Sequence, residues 1–106
     1  MVVTKAEFLD PKVIREMHGN PEILNAVIRM TGLSLAQLSE RYHLGKTTVY
    51  QAIHKPTCPV GERVIISYLN TFEPYAGLTG HDLWPDRYGP DGERIIGYKP
   101  RVELPF

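Results

Sequence analysis

The stretch LAQLSERYHLGKTTVYQAIH, residues 35–54, constrains the fold more than any other part of the chain. It holds two short amphipathic runs joined by a tight RYHLGK junction, so the second run must cross the first almost at once. Two helices crossing at a large angle need a small side chain where they touch and apolar groups aimed into the shared corner. Counted from Leu35 as position one, apolar residues fall at positions four, eight, ten, fifteen and eighteen: Leu38, Tyr42, Leu44, Val49 and Ala52. Position five is the small Ser39.

This spacing is that of a helix-turn-helix, whose second helix lies in the major groove of DNA. Position nine, where the turn favours positive φ and glycine, is His43, which visits that region at some cost in strain. The second helix is expected over residues 46–54, ending before Pro56 because a residue preceding proline avoids helical angles. The corner leaves Lys46, Thr47, Tyr50, Gln51 and His54 unused, and no carboxylate stands among them to repel phosphate. Gln51 suits bidentate reading of adenine, Lys46 a guanine or a phosphate, and Thr47 a thymine methyl or a phosphate. Thr48 is either a contact or a helix-start residue, and Tyr50 either a contact or packing. An ordinary helical hairpin with a merely solvated polar face is the bland alternative.

Charge is distributed in keeping with this. The 106 residues carry 12 basic and 12 acidic side chains, a total of zero that is unfavourable for binding a polyanion. Residues 29–63, however, hold five basic residues (Arg29, Arg41, Lys46, Lys55 and Arg63) against two acidic ones, Glu40 and Glu62. Arg41, Lys46, Lys55 and Arg63 are therefore expected to form a positive face around the second helix. Arg63 has two readings, a phosphate contact beside the helix start at Pro59 or a partner for Glu62.

The rest of the chain reads as an all-α core with two appended ends. Asp10 and Pro11 open a first helix that stops at His18-Gly19, and Asn20-Pro21 opens another with Ile23, Leu24, Val27 and Ile28 on one face. Ser34 and Gln37 form a capping box. A helix from Pro59 is expected to bury Val60, Val64, Ile65, Tyr68 and Leu69 on one stripe. TFEPYAGL reads as a loop, Thr79 and Asp82 cap a single turn, and Leu83 and Trp84 fold back onto the core. Arg87 and Tyr88 then either reach a phosphate or pair with Asp82 or Asp86. The Gly- and Pro-rich segment after Tyr88 suggests a turn at residues 90–92 and an extended tail. In that tail Arg94, Lys99 and Arg101 alternate with Ile95, Ile96, Tyr98 and Val102, fitting a DNA arm or, in preference, a protein contact such as a homodimer interface.

GLSLAQLSERYHLGKTTVYQAI, PVGERVIISYL and LWPDRY, in that order, resemble the Ner/Nlp group of phage and bacterial DNA-binding regulators over residues 21–88. The GLSLxxLS opening, the TT near the second helix, the P-x-G-E helix start and the WP-x-RY end carry the resemblance. It implies a compact, lambda-repressor-like helical bundle that binds operator DNA, with Lys46, Thr47, Thr48, Tyr50 and Gln51 at the DNA face. The organisation expected is an N-terminal extension at residues 1–19, a DNA-binding domain at 20–88 and a tail at 89–106. The loop before HDLWP is longer than the group's.

No cofactor is expected. Cys58 is the single cysteine, and with His54 it supplies two candidate ligands, too few for zinc. The four histidines fall in separate segments and no nucleophile or phosphate-loop motif occurs, so catalysis is not expected. The longest apolar run, VIISYL, is far short of a membrane span, and no signal-peptide pattern opens the chain, which points to the cytoplasm. The alternative function is a helix-turn-helix module that binds protein, such as an anti-repressor or a component of a phage recombination complex.

Overall fold

A computed structural model describes residues 9–95. The expected tail from residue 96 onward, any homodimer contact through it, and the first eight residues lie outside the described range. Among the described residues six α-helices follow one another: α1 (Pro11–Glu16), α2 (Pro21–Met30), α3 (Leu35–Arg41), α4 (Thr48–His54), α5 (Pro59–Asn70) and α6 (Gly80–Leu83).

Local chemistry sets most of their ends. The side chains of Asp10 and Asn20 accept the first free amides of α1 and α2, and proline opens both helices. Ser34 and Gln37 close a capping box on α3, and Thr79 and Asp82 close another on α6. His43 has φ 61°, the left-handed turn its position in the motif demands. The expected start of the second helix at residue 46 is corrected to Thr48. The Thr48 amide bonds back to the Gly45 carbonyl, which closes a tight turn over Lys46 and Thr47 before the α-helical ladder begins.

One core joins the helices, built on Ile14, Leu24, Val27, Ile28, Leu38, Val49, Ile53, Ile65, Leu69, Tyr75 and Leu83. Leu83 and Trp84 do fold back into it. Of the expected α5 stripe, Val64, Ile65, Tyr68 and Leu69 are buried; Val60 is corrected, being 54% exposed, and Gly61 and Glu62 point inward in its place. The loop after α5 contains a 3-10 turn at Glu73–Tyr75, nucleated by Pro74. The Asn70 side chain fastens it, donating to the Leu78 carbonyl and accepting from the Gly77 amide. Tyr75 ties the N-terminal side to it through a 2.9 Å hydrogen bond to the Leu9 carbonyl.

Glu62 organises the C-terminal half. Its side chain is fully buried, yet four hydrogen bonds satisfy its carboxylate. Oε1 accepts from the Tyr88 hydroxyl at 3.0 Å and from Arg94 Nε at 2.8 Å. Oε2 accepts from Arg87 Nη1 at 2.8 Å and Arg94 Nη2 at 3.0 Å. Arg87 and Tyr88 therefore pair with neither Asp82 nor Asp86 but with Glu62, the buried carboxylate among the described residues. Arg63 is likewise not the partner of Glu62. The expected turn at residues 90–92 is present, closed by an antiparallel bridge between Tyr88 and Arg94, and it delivers Arg94 to the cluster. The Tyr88 ring lies so close to Gly80 that a Cβ there would sit 2.6 Å from it.

Burial holds the Tyr75 and Tyr88 hydroxyls above the ordinary tyrosine value. A backbone hydrogen bond opposes this at Tyr75; at Tyr88 the Glu62 charge reinforces it and Arg94 opposes it. With the folded value raised, the unfolded chain releases its protons first. The stability these groups contribute is complete below about pH 10 and falls as pH rises through their folded values. Urea denaturation at about pH 8 and about pH 11 should give a lower midpoint at the higher pH. Equal midpoints would contradict this.

Candidate nucleic-acid interface

Residues on α4 three and four apart share a face, and the sequence divides them cleanly. Val49, Ala52 and Ile53 are buried against the core, while Tyr50, Gln51 and His54 are exposed. Thr47, at the N-cap, continues the outward face one turn earlier, and Lys46 precedes it in the exposed turn. Gln51 Nε2 donates to Thr47 Oγ1 at 3.2 Å, and the Tyr50 and His54 rings meet at a tilt of 36° with centroids 4.3 Å apart. Tyr50 is 53% exposed, which decides against its being core packing. Thr48 is half-buried and its carbonyl faces α5, so it is the least accessible of the group.

The basic residues lie at the edges. Arg41 ends α3, exposed, with its guanidinium 6.0 Å from the centre of the Tyr68 ring. Lys55 is the exposed C-cap of α4, and Arg63 is exposed on α5. No ion pair among the described residues engages Arg41, Lys46, Lys55 or Arg63. Between residues 41 and 63 the chain has one carboxylate, Glu62, and it is buried beneath two guanidinium groups. Arg41, Lys46, Lys55 and Arg63 thus stand exposed around α4, with the exposed carboxylate of Glu40 beside Arg41.

Side chains of neighbouring helices hold α4 in place. Ser39 Oγ, fully buried, accepts the Val49 amide at 3.0 Å, giving α3 a grip on the first turn of α4. This is why the crossing point needs a small residue and why serine serves there. On the other side Gly61 lets α5 approach closely: a Cβ on it would lie 2.7 Å from Ala52 Cβ and 2.8 Å from the Thr48 carbonyl oxygen. Sequence reasoning found the small size of Ser39 but not its hydrogen bond, and passed over Gly61.

Among the described residues no cluster of three or more His, Cys, Asp or Glu side chains is placed to hold a metal. Nor is any described helix long and apolar enough to cross a membrane. What the geometry offers is a polar helical face with donors and acceptors, flanked by cations, on a rigidly supported two-turn helix.

A family model described as winged helix-turn-helix DNA-binding matches residues 18–100. A negative regulator of transcription from Escherichia phage D108 is 35% identical over 63 residues, covering 59% of this chain and 75% of that relative. No solved structure matches the chain.

Gly61→Ala should force α5 away from α4 and lower stability by about 1–3 kcal/mol, the usual effect of overpacking. The midpoint of urea denaturation reads this directly. A wild-type midpoint would mean that the two helices can part without loss.

Proposed function

The chain belongs to the winged helix-turn-helix DNA-binding family, and on that premise we propose that α4 is its recognition helix and enters the major groove of an operator. The protein is then a sequence-specific transcriptional regulator of phage or prophage origin, acting in the cytoplasm and without catalysis. The observation that carries this is the outward face of α4, where Thr47, Tyr50, Gln51 and His54 are turned away from the core and no carboxylate intervenes. Membership of the Ner/Nlp group is part of the proposal, supported by the ordered motifs and by the likeness to a phage negative regulator. That likeness makes repression the proposed direction of control.

Roles follow from chemistry and position. Gln51 reads a base, and Thr47, Tyr50 and His54 contact base edges or the sugar-phosphate rim beside it. Lys46, Lys55, Arg41 and Arg63 hold phosphates and set the register. Thr48, half-buried, contributes at the first turn. A homodimer would place two copies of α4 about one helical turn, roughly 34–36 Å, apart on a two-fold site.

Selection from a random duplex pool with the full chain tests the proposal. A recurrent motif is expected, and Gln51→Ala should weaken binding to it by about 1–3 kcal/mol and relax preference at one position. Unchanged preference would remove Gln51 from base reading, and no enrichment at low salt would favour the protein-binding alternative. Lys46→Ala should reduce the salt dependence of binding by about one unit of slope if its contact is to phosphate. An unchanged slope with relaxed specificity would assign it to a base.

A further inference from the structure

The exit of α4 is secured by residues far along the chain. Lys55 is extended, with φ −140° and ψ 142°, and its amide closes the helical ladder on the Gln51 carbonyl at 2.8 Å. The next carbonyl, that of Ala52, would take the amide of residue 56 in a continuing helix. That residue is Pro56, which has none. Arg87 fills the gap: Nη1 donates to the Ala52 carbonyl at 2.6 Å and Nη2 reaches the Ile53 carbonyl at 3.5 Å. Arg94 Nη2 donates to the Pro56 carbonyl at 2.8 Å.

Both guanidinium groups are themselves fixed by Glu62. Arg87 is further held by the Trp84 ring, 4.9 Å from its guanidinium carbon, and is only 8% exposed. Their positive charge stands at the negative end of the helix dipole. A helix of two turns, with no side-chain cap at Thr47, has little intrinsic stability, so its direction depends on what grips its ends. Ser39 grips the entrance; Arg87 and Arg94 grip the exit.

We propose that Arg87 is a positioning residue for base recognition: it fixes where the C-terminal turn of α4, with Gln51 and His54, lies in the groove. Arg94 does the same for the backbone that leaves the helix. Gln51 directly precedes the clamped Ala52, so release of that carbonyl displaces the side chain that reads the base. The proposal rests on α4 being the recognition helix and deepens that reading. The partner is duplex DNA, which neither arginine touches.

The test compares wild type, Gln51→Ala, Arg87→Met, Arg87→Lys and Arg94→Lys on the duplex selected by the wild-type chain and on its single-base-pair variants. Titrations are made at two salt concentrations, below each protein's thermal transition. In Arg87→Met the affinity ratio between selected and variant duplex at the Gln51-dependent position should fall about tenfold, the discrimination of roughly one base contact. The salt slope should stay at the wild-type value, since no phosphate contact is lost. Arg87→Lys should recover part of the ratio.

A lower thermal midpoint with a wild-type ratio would make Arg87 merely structural and overturn the proposal. A slope lower by about one would make it a phosphate contact, with the same consequence. Should Arg87→Met fail to fold, Arg87→Lys and the partly exposed Arg94→Lys carry the test: both should lower the ratio, and wild-type ratios in both overturn the proposal. If Gln51→Ala leaves discrimination intact, Gln51 does not read a base and the positioning role argued through it falls as well, whereas failure of the wild-type chain to enrich any duplex removes the recognition-helix reading itself. Discrimination lost in Gln51→Ala but kept in the arginine variants removes the positioning role alone.

Discussion

A carboxylate withdrawn from water must be given partners, and Glu62 is given all it can take. Desolvating such a group costs several kcal/mol, offset only when every lone pair is used and an opposite charge is close. Here two guanidinium groups and one hydroxyl supply four hydrogen bonds, and the donors come from residues 87, 88 and 94, beyond the end of α6. The cluster thereby fastens the last described segment to α5 and, through the carbonyls of residues 52, 53 and 56, to the end of α4. Apolar side chains of similar volume can often replace such a cluster without loss of stability. What they cannot replace is direction: a guanidinium plane bonded at several edges has one orientation, and an aliphatic contact has many.

The same cluster takes one carboxylate and two guanidinium groups away from the surface beside α4. Glu62 removes itself from the surface together with Arg87 and Arg94, so the basic residues left outside near α4 are Arg41, Lys46, Lys55 and Arg63. Modest long-range attraction suits a regulator that must leave non-specific DNA readily, because the phosphate term is sequence-blind and discrimination comes from base edges. The exposed face of α4, small and polar, is where that discrimination is proposed to reside. Its rigidity comes from three sides: the Ser39 hydroxyl, the bare Gly61 and the arginine pair.

The helices were legible in the sequence because their signals are local. Asp10-Pro11, Asn20-Pro21 and the two capping boxes act within four residues, and the helix-turn-helix spacing encodes its own crossing, down to the positive φ of His43. A turn over Lys46 and Thr47 resembles a first helical turn in composition, so the sequence places the start of α4 two residues early. On α5 only Val60 departs from the expected stripe: its apolar side chain suggests burial, whereas Glu62, three residues before Ile65 and seven before Leu69, lies on the inner line. That position was itself a signal, since a carboxylate on a core stripe calls for a cation from elsewhere. Which cations answer could not be read locally, as Arg87 and Arg94 arrive through a loop, a single-turn helix and a bridged turn. The P-x-G-E and WP-x-RY motifs marked both halves of the contact without revealing that they meet.

The measurement that bears most directly on this account is the set of intermolecular nuclear Overhauser effects between the isotope-labelled chain and the duplex it selects. The account predicts contacts from the side chains of Thr47, Tyr50, Gln51 and His54 to major-groove protons, namely thymine methyls and the ring protons of cytosine. Contacts confined to the minor groove, or arising from α1 and α6 while the α4 face stays silent, would contradict it.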